Sequence, residues 1–147
     1  MIAVVQRVLS AGVRVVDTLH SESISQGLCV FVGVEEGDTD IDAKWMSNKL
    51  TNLRIFSDDK GKMNLSVQDV QGEILLVSQF TLVADCYHGN RPSFIKAERP
   101  ERATTLIDTV GQLLREQGVP VKSGVFGATM RVEIENDGPV TIILKQE

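Results

Sequence analysis

Residues 73–85, "EILLVSQFTLVAD", begin as an uninterrupted apolar run and then place Ser78, Gln79 and Thr81 where further apolar side chains would continue a buried strand. A short apolar run bounded by polar residues reads as a strand covered on both faces. A buried polar group without a partner costs about 1–3 kcal/mol, so three of them at one strand end suggest a ligand. If residues 78–83 stay extended, Gln79 and Thr81 share one face while Ser78, Phe80 and Leu82 take the other. Those two polar sets cannot serve one pocket. If the strand stops near Phe80, the N–H groups of Phe80 and Thr81 are released, and such a pair of donors can hold a developing oxyanion. Local side chain to backbone hydrogen bonds that close the strand end are the alternative.

Outward from this run the chain alternates clusters of strands with two helices. "IAVVQRVLSAGVRVV" is rich in Val and interrupted by Gly12, which predicts a strand, a bend and a second strand. A further buried strand runs from Leu28 to Val34. Asp38 or Thr39 can cap a first helix, in which Ile41, Trp45, Leu50 and Leu53 recur at helical spacing and predict the packed face. "SDDKGKMN" is a polar turn leading to the strand at 73. A second helix starts near Pro100 and carries Ala103, Leu106, Ile107, Val110, Leu113 and Leu114 to a stop at Gly118. "ATMRVEIENDGPVTIIL" alternates, turns at "NDGP" and returns as an apolar strand, which predicts a hairpin. Strands in clusters rather than in βαβ alternation favour an α/β protein with mixed, largely antiparallel β-sheets and two packed helices. No GxGxxG or Walker sequence follows a strand, so nucleotide-phosphate binding of that kind has no support.

The 147 residues fit a single domain, 1–147, and 42% apolar with 24% charged residues is ordinary for a globular protein. "MIAVVQRVLS" has Gln6 and Arg7 inside its apolar stretch and no basic region before it, so it does not read as a signal peptide. No stretch approaches the roughly 20 apolar residues of a membrane span. Cys29 and Cys86 have neither zinc-site nor CxxC spacing, which makes a reducing cytoplasm the default location. A net charge of −5 argues against a protein that coats nucleic acid non-specifically. A local basic patch remains in "NRPSFIKAERPER", with Arg91, Lys96, Arg99 and Arg102, against the plainer reading of a solvated loop and helix start.

Sharper chemistry has few parts to work with. His20 and His88 are the only histidines, so a histidine triad or multi-histidine metal site is disfavoured. Asp85, Cys86 and His88 lie too close in sequence to face one another as nucleophile and base, and no G-x-S-x-G elbow occurs. In "NDGPVT", residues 136–141, Asp137-Gly138 is a normal turn signal, but Pro139 removes a ladder donor and raises the frequency of a cis bond to about 5–6%. Met130 alternates with core residues and by that pattern is core.

"SQFTL" at 78–82 together with "NDGPVT" at 136–141 resemble the paired signatures of the D-aminoacyl-tRNA deacylases, also called D-tyrosyl-tRNA deacylases. The similarity spans nearly the whole chain, through "AVVQRV", "NLRIF", "GKMNLS", "RPSF" and "FGATM" in the family's order. The resemblance implies a hydrolase that cleaves the ester between a D-amino acid and the 3′-terminal adenosine of tRNA, a proofreading step, with no metal or cofactor. It implies a homodimer in which a cis Gly138-Pro139 peptide reaches into the partner's site around Ser78, Gln79, Phe80 and Thr81. Arg7 would support the Gly-Pro turn and Met130 would line the pocket. Thr81 as nucleophile and the substrate's 2′-hydroxyl as activator of water both stand as mechanisms. The second is favoured, because no base lies in obvious reach of Thr81. The chain departs from the family at "DCYHGNRPSF", where Cys86, Tyr87 and His88 stand in place of frequent basic residues. Two other classes compete: a non-catalytic module that binds the tRNA acceptor end, and a small-molecule carboxylesterase, which lacks both elbow and histidine base.

Overall fold

The computed structural model describes residues 1–147. The apolar run at 73–78 is the strand Glu73–Ser78, β6 in chain order, and it lies inside a six-stranded sheet. β1 (Ile2–Val15) forms the axis of that sheet. Along one edge β1 pairs antiparallel first with β3 (Gly27–Gly33) and then with β2 (Ser21–Ile24), and along the other with β8 (Met130–Lys145). β6 continues the sheet parallel to β3, and β7 (Val121–Ser123) is parallel to β6. The sheet is therefore mixed, as the clustering of strands predicts.

Period-two alternation sorts its side chains into two cores. Ala3, Val5, Leu28, Val30, Val32, Ile74 and Leu76 join the helices α1 (Asp40–Asn52) and α2 (Pro100–Glu116) in the larger core. Cys29, Leu75 and Val77 face the other way, against Ala11, Val13 and Ile24. β1 thus bends so that its second half lies over the sheet that its first half builds.

Three local expectations change. Gly12 does not break the first strand; β1 is continuous, and its irregularities fall opposite β8 between Gln6 and Val8 and between Val8 and Ser10. "NDGP" is not a hairpin tip. β8 runs through it as one strand, with Asn136 opposite Val8 and Thr141 opposite Gln6, so residues 137–140 bulge out across from Arg7 alone. The hairpin signal misled because a long partner strand on one side holds the chain straight past a local turn sequence. In α1, Ile41 is 73% exposed, and Ala43, Met46, Ser47, Leu50 and Thr51 form the buried face. The predicted stripe followed the largest side chains, whereas α1 packs closely against α2 and turns Ala43, Ser47 and Thr51 inward beside Met46 and Leu50. Thr39 is the cap and closes a capping box with Asp42. The polar turn at 57–64 sits inside a small hairpin, β4 (Phe56–Ser57) with β5 (Met63–Leu65).

Candidate active site

β6 stops at Ser78, and a one-turn 3-10 helix follows over Phe80–Val83. The Gln79 N–H still bonds the Val32 carbonyl at 2.8 Å, which fixes the last residue of the strand against β3. The first bond of the turn runs from the Leu82 N–H to the Gln79 carbonyl at 3.2 Å. The N–H groups of Phe80 and Thr81 precede it and have no acceptor within the turn. Gly33 makes this geometry possible: a Cβ there would lie 2.9 Å from the Gln79 carbonyl oxygen and 3.1–3.2 Å from Val83 and Leu82. A glycine within a strand is the signal in the sequence for such a close approach.

The expected burial of three polar groups is not met. Ser78 and Gln79 are half-buried and Thr81 is exposed, because the turn swings residue 81 out of the sheet. Gln79 Nε2 donates to Thr81 Oγ1. The partner of the threonine hydroxyl is thus a donor and not a base.

Two lobes meet at this turn. The smaller, about 270 Å³, is lined by Phe31, Val77, Ser78, Gln79, Met130 and Val132 among others, with no titratable side chain. The larger, about 630 Å³ and mostly apolar, runs between Phe80, Phe94, Ala97, Pro100, Ala103 and Ile107, with Glu98 and Arg99 also on its wall. Gln79, Phe80, Phe126 and Gly127 belong to both. The Phe80 ring stands edge-on to Phe94 at 5.0 Å. Met130 is both core and lining: it packs against the smaller core and faces the small lobe, and a Cβ on Gly124 would lie 2.6 Å from its sulfur. Phe94, Phe126 and Gly127 were missed as site residues, although they fall inside the quoted "RPSF" and "FGATM".

Glu98 is not free to act as a base. Its carboxylate accepts first from the Arg99 amide at 2.8 Å and also from Arg102 Nη1 at 2.6 Å, and these bonds hold it below the usual carboxylate range. The buried Cys29 thiol is pushed up to about 12 by desolvation, which removes it as a nucleophile at neutral pH. His88 bonds Asp85 at 3.1 Å on an exposed loop and lines neither lobe. No three His, Cys, Asp or Glu side chains gather as a metal-ligand cluster.

Gly138 and Pro139 are exposed at the tip of the β8 bulge, joined by a cis peptide. Arg7 supports the bulge from beneath. The side chain of Arg7 is buried; its Nε donates to the Asp137 carbonyl at 2.9 Å and its Nη1 to the Ile55 carbonyl at 2.7 Å. Asn136 closes the neck, accepting from the Val140 N–H at 2.8 Å and donating to the Val140 carbonyl at 3.1 Å. The tip does not join the strand-end cleft of its own chain. Ser78 is level with Val32, Ala3 and Leu144 across the sheet. Three strand spacings and five residues therefore separate it from Pro139, roughly 20 Å. Ser78, Gln79, Phe80, Thr81 and Met130 form one group, and Arg7, Gly138 and Pro139 another.

The molecule is thus a mixed-sheet α/β protein whose cleft is built on main-chain donors and apolar walls, with a rigid main-chain tip presented elsewhere on its surface. A family model described as D-Tyr-tRNA(Tyr) deacylase matches residues 4–145. The chain belongs to that family. It is 50% identical to a D-aminoacyl-tRNA deacylase of Bifidobacterium longum, covering 100% of this chain and 95% of the relative. It is 55% identical to one of Dehalococcoides mccartyi, covering 98% and 94%. A solved structure named c-Myc DNA Unwinding Element Binding Protein superposes with a TM-score of 0.92 at 43% identity, covering 100% of this chain and 99% of that one. Another, described as "a probable eukaryotic D-amino acid tRNA deacylase", shares the fold with a TM-score of 0.81 at 16% identity, covering 97% of both chains.

Proposed function

We propose that this chain hydrolyses the ester between a D-amino acid and the 3′-terminal adenosine of tRNA, releasing free tRNA as a chiral proofreading step in the cytoplasm. The observation that carries the reading is the strand end itself: free N–H groups of Phe80 and Thr81 between two lobes, in a chain of this family. The larger apolar lobe suits a purine ring, with Phe80 and Phe94 as its aromatic walls. The ester then lies at the turn, where the two N–H groups stabilise the oxyanion as water adds to the carbonyl. Thr81 Oγ1 accepts a hydrogen bond from Gln79 and has no base beside it, so it orients rather than attacks. The 2′-hydroxyl of the substrate is left as the group that activates water.

The second half of the reading is a homodimer with a shared site. A main-chain tip about 20 Å from the cleft of its own chain serves that cleft only when another copy supplies it. Arg7 and the Asn136 clamp hold Gly138-Pro139 in place for that contact.

Binding of the tRNA acceptor end without turnover is the second reading, favoured by one observation: a relative with TM-score 0.92 carries the name of a nucleic-acid binding protein. Multiple-turnover deacylation of D- and L-aminoacyl-tRNA side by side decides between them. Release of many equivalents of the D-amino acid, with the L-ester spared, is the expected result. Stoichiometric binding with no release would establish the binding module.

A further inference from the structure

A third cavity, about 360 Å³, touches Leu82, Val83 and Ala84, the far end of the turn whose first residue lines the larger lobe. Ile2 completes its apolar floor, and Tyr87, His88 and Lys96 stand around it. The segment 94–99 separates the two spaces: Phe94, Ala97 and Arg99 line the larger lobe, and Lys96 lines this one. Its size falls within the range of small-ligand pockets, which begins at about 300 Å³.

The electrostatics here are selective. Asp85 and Glu35 both line the cavity, and both are already engaged. Asp85 accepts from the Tyr87 N–H at 2.9 Å and pairs with His88, and Glu35 pairs with Lys145 at 2.9 Å. Lys96 forms no ion pair. Its own carbonyl accepts from the Glu36 N–H at 2.8 Å, which fixes the backbone that carries it. Tyr87 is 96% exposed, its ring free on both faces. An apolar floor, an open aromatic ring and an unneutralised ammonium are the combination that single-stranded nucleic acid recognises, by stacking and by phosphate contact.

We propose that this cavity is a nucleotide subsite, which takes one nucleotide of the single-stranded tail preceding the terminal adenosine, its base against Tyr87 and its phosphate on Lys96. The inference rests on the larger lobe holding that adenosine, since only the one-turn helix and the rim at 94–99 then separate successive nucleotides.

The test uses the whole chain with Tyr87→Ala and Lys96→Gln, both at exposed positions. Affinity for an uncharged RNA ending in single-stranded CCA is read by fluorescence anisotropy across a salt series. Tyr87→Ala is expected to weaken binding about tenfold, the effect of losing one stacked base. Lys96→Gln is expected to reduce the log–log salt slope by about one. In deacylation, both variants raise KM for D-aminoacyl-tRNA and leave kcat and the hydrolysis of D-aminoacyl-adenosine as in wild type, because that small ester has no nucleotide to place here. Unchanged RNA affinity and salt slope would overturn the subsite. So would equal losses on both esters, which would mean that the variants disturb the turn, or a shift in the monomer–dimer equilibrium without a change in RNA affinity, which would assign the surface to a second copy. Wild-type protein that binds the RNA through Tyr87 and Lys96 but hydrolyses no ester would support the subsite and remove the deacylase reading.

Discussion

Replacing Gly138 by alanine tests the main-chain tip directly. Gly138 has φ +140°, a region L-residues rarely adopt, and holding alanine there costs about 1–3 kcal/mol. The added Cβ would lie 2.7 Å from Val140 Cγ2, 3.0 Å from Val140 N and 3.1 Å from Arg7 Nη2. Overpacking of this kind costs a further 1–3 kcal/mol if nothing moves. The bulge is exposed, however, and relieves the contact by shifting outward, so the loss of global stability is expected near the low end, about 2 kcal/mol. Activity is expected to fall much more. A displacement of about 1 Å in a positioning group costs on the order of 100-fold, and the tip is the part that moves. Gly61→Ala is the matched control: φ is +78° and nothing lies within 4 Å of its Cβ, so it carries the backbone strain, about 1 kcal/mol, without the clash. Urea unfolding gives stability, and kcat/KM on D-aminoacyl-tRNA, measured where both variants remain folded, gives function. A folded Gly138→Ala protein with no greater loss of kcat/KM than Gly61→Ala would refute a catalytic place for the tip.

Three further outcomes follow from the same geometry. Thr81→Ala is expected to stay within about tenfold of wild-type kcat, the worth of one ordinary hydrogen bond, while a substrate ending in 2′-deoxyadenosine loses about 100-fold or more with its proton-transfer group; a trapped acyl-Thr81 species would reverse that assignment. Glycyl-tRNA is expected to be cleaved at a rate comparable to D-alanyl-tRNA and L-alanyl-tRNA spared, which parallel single-turnover assays will show; rejection of glycine as complete as that of L-alanine would mean that the site grips the D side chain. The Glu35 carboxyl is raised by burial, but bonds from Lys145 and the Met1 ammonium outweigh that and hold it below its ordinary value. Its folded-state value is thus lower than the unfolded one, so its contribution is complete above about pH 4.3 and is lost as pH falls through the folded value. Glu35→Gln is expected to lower stability at pH 7 by about 1 kcal/mol and to flatten the acid limb of the unfolding curve; an unchanged acid limb would show that the pair carries no linkage.

What was legible in the sequence had a local cause. Pro100 opening α2 and the 3.6-residue stripe through Ala103, Leu106, Ile107, Val110 and Leu114 are set by the chain's own spacing, and all five residues are buried. Leu113 alone drifts to the edge of that stripe. The strand end at Ser78 was legible as one of two alternatives, because the switch from apolar to polar residues marks a boundary without giving its geometry. The bulge at 137–140 was not. Its shape depends on Arg7, some 130 positions away in sequence, and on register against β1, neither of which "NDGP" encodes. The two lobes were illegible for the same reason: Phe31, Phe94 and Phe126 come from three separate loops and strands, and only the packed sheet brings them to Phe80.

The proposed division of the site between two surfaces has a chemical logic. The small lobe offers no titratable side chain, so nothing in it recognises an amino acid by charge. Main-chain donors at Phe80 and Thr81 serve any acyl group equally, and an ester-cleaving cleft of that kind would also consume the L-aminoacyl-tRNA needed for translation. Selectivity therefore has to come from a surface that opposes the α-carbon and does not yield. Proline has a fixed φ, and the guanidinium of Arg7 and the amide of Asn136 hold the backbone on either side of it. If that surface belonged to the chain that carries the cleft, the 20 Å between them would have to be crossed by a loop, with the mobility that loops bring. In the proposed homodimer a second copy would present it instead from the middle of a sixteen-residue strand. On this argument the proposed dimer is the source of discrimination: a monomeric variant that keeps its fold is expected to cleave D- and L-esters at similar, reduced rates, and a monomer that still spares the L-ester would refute it.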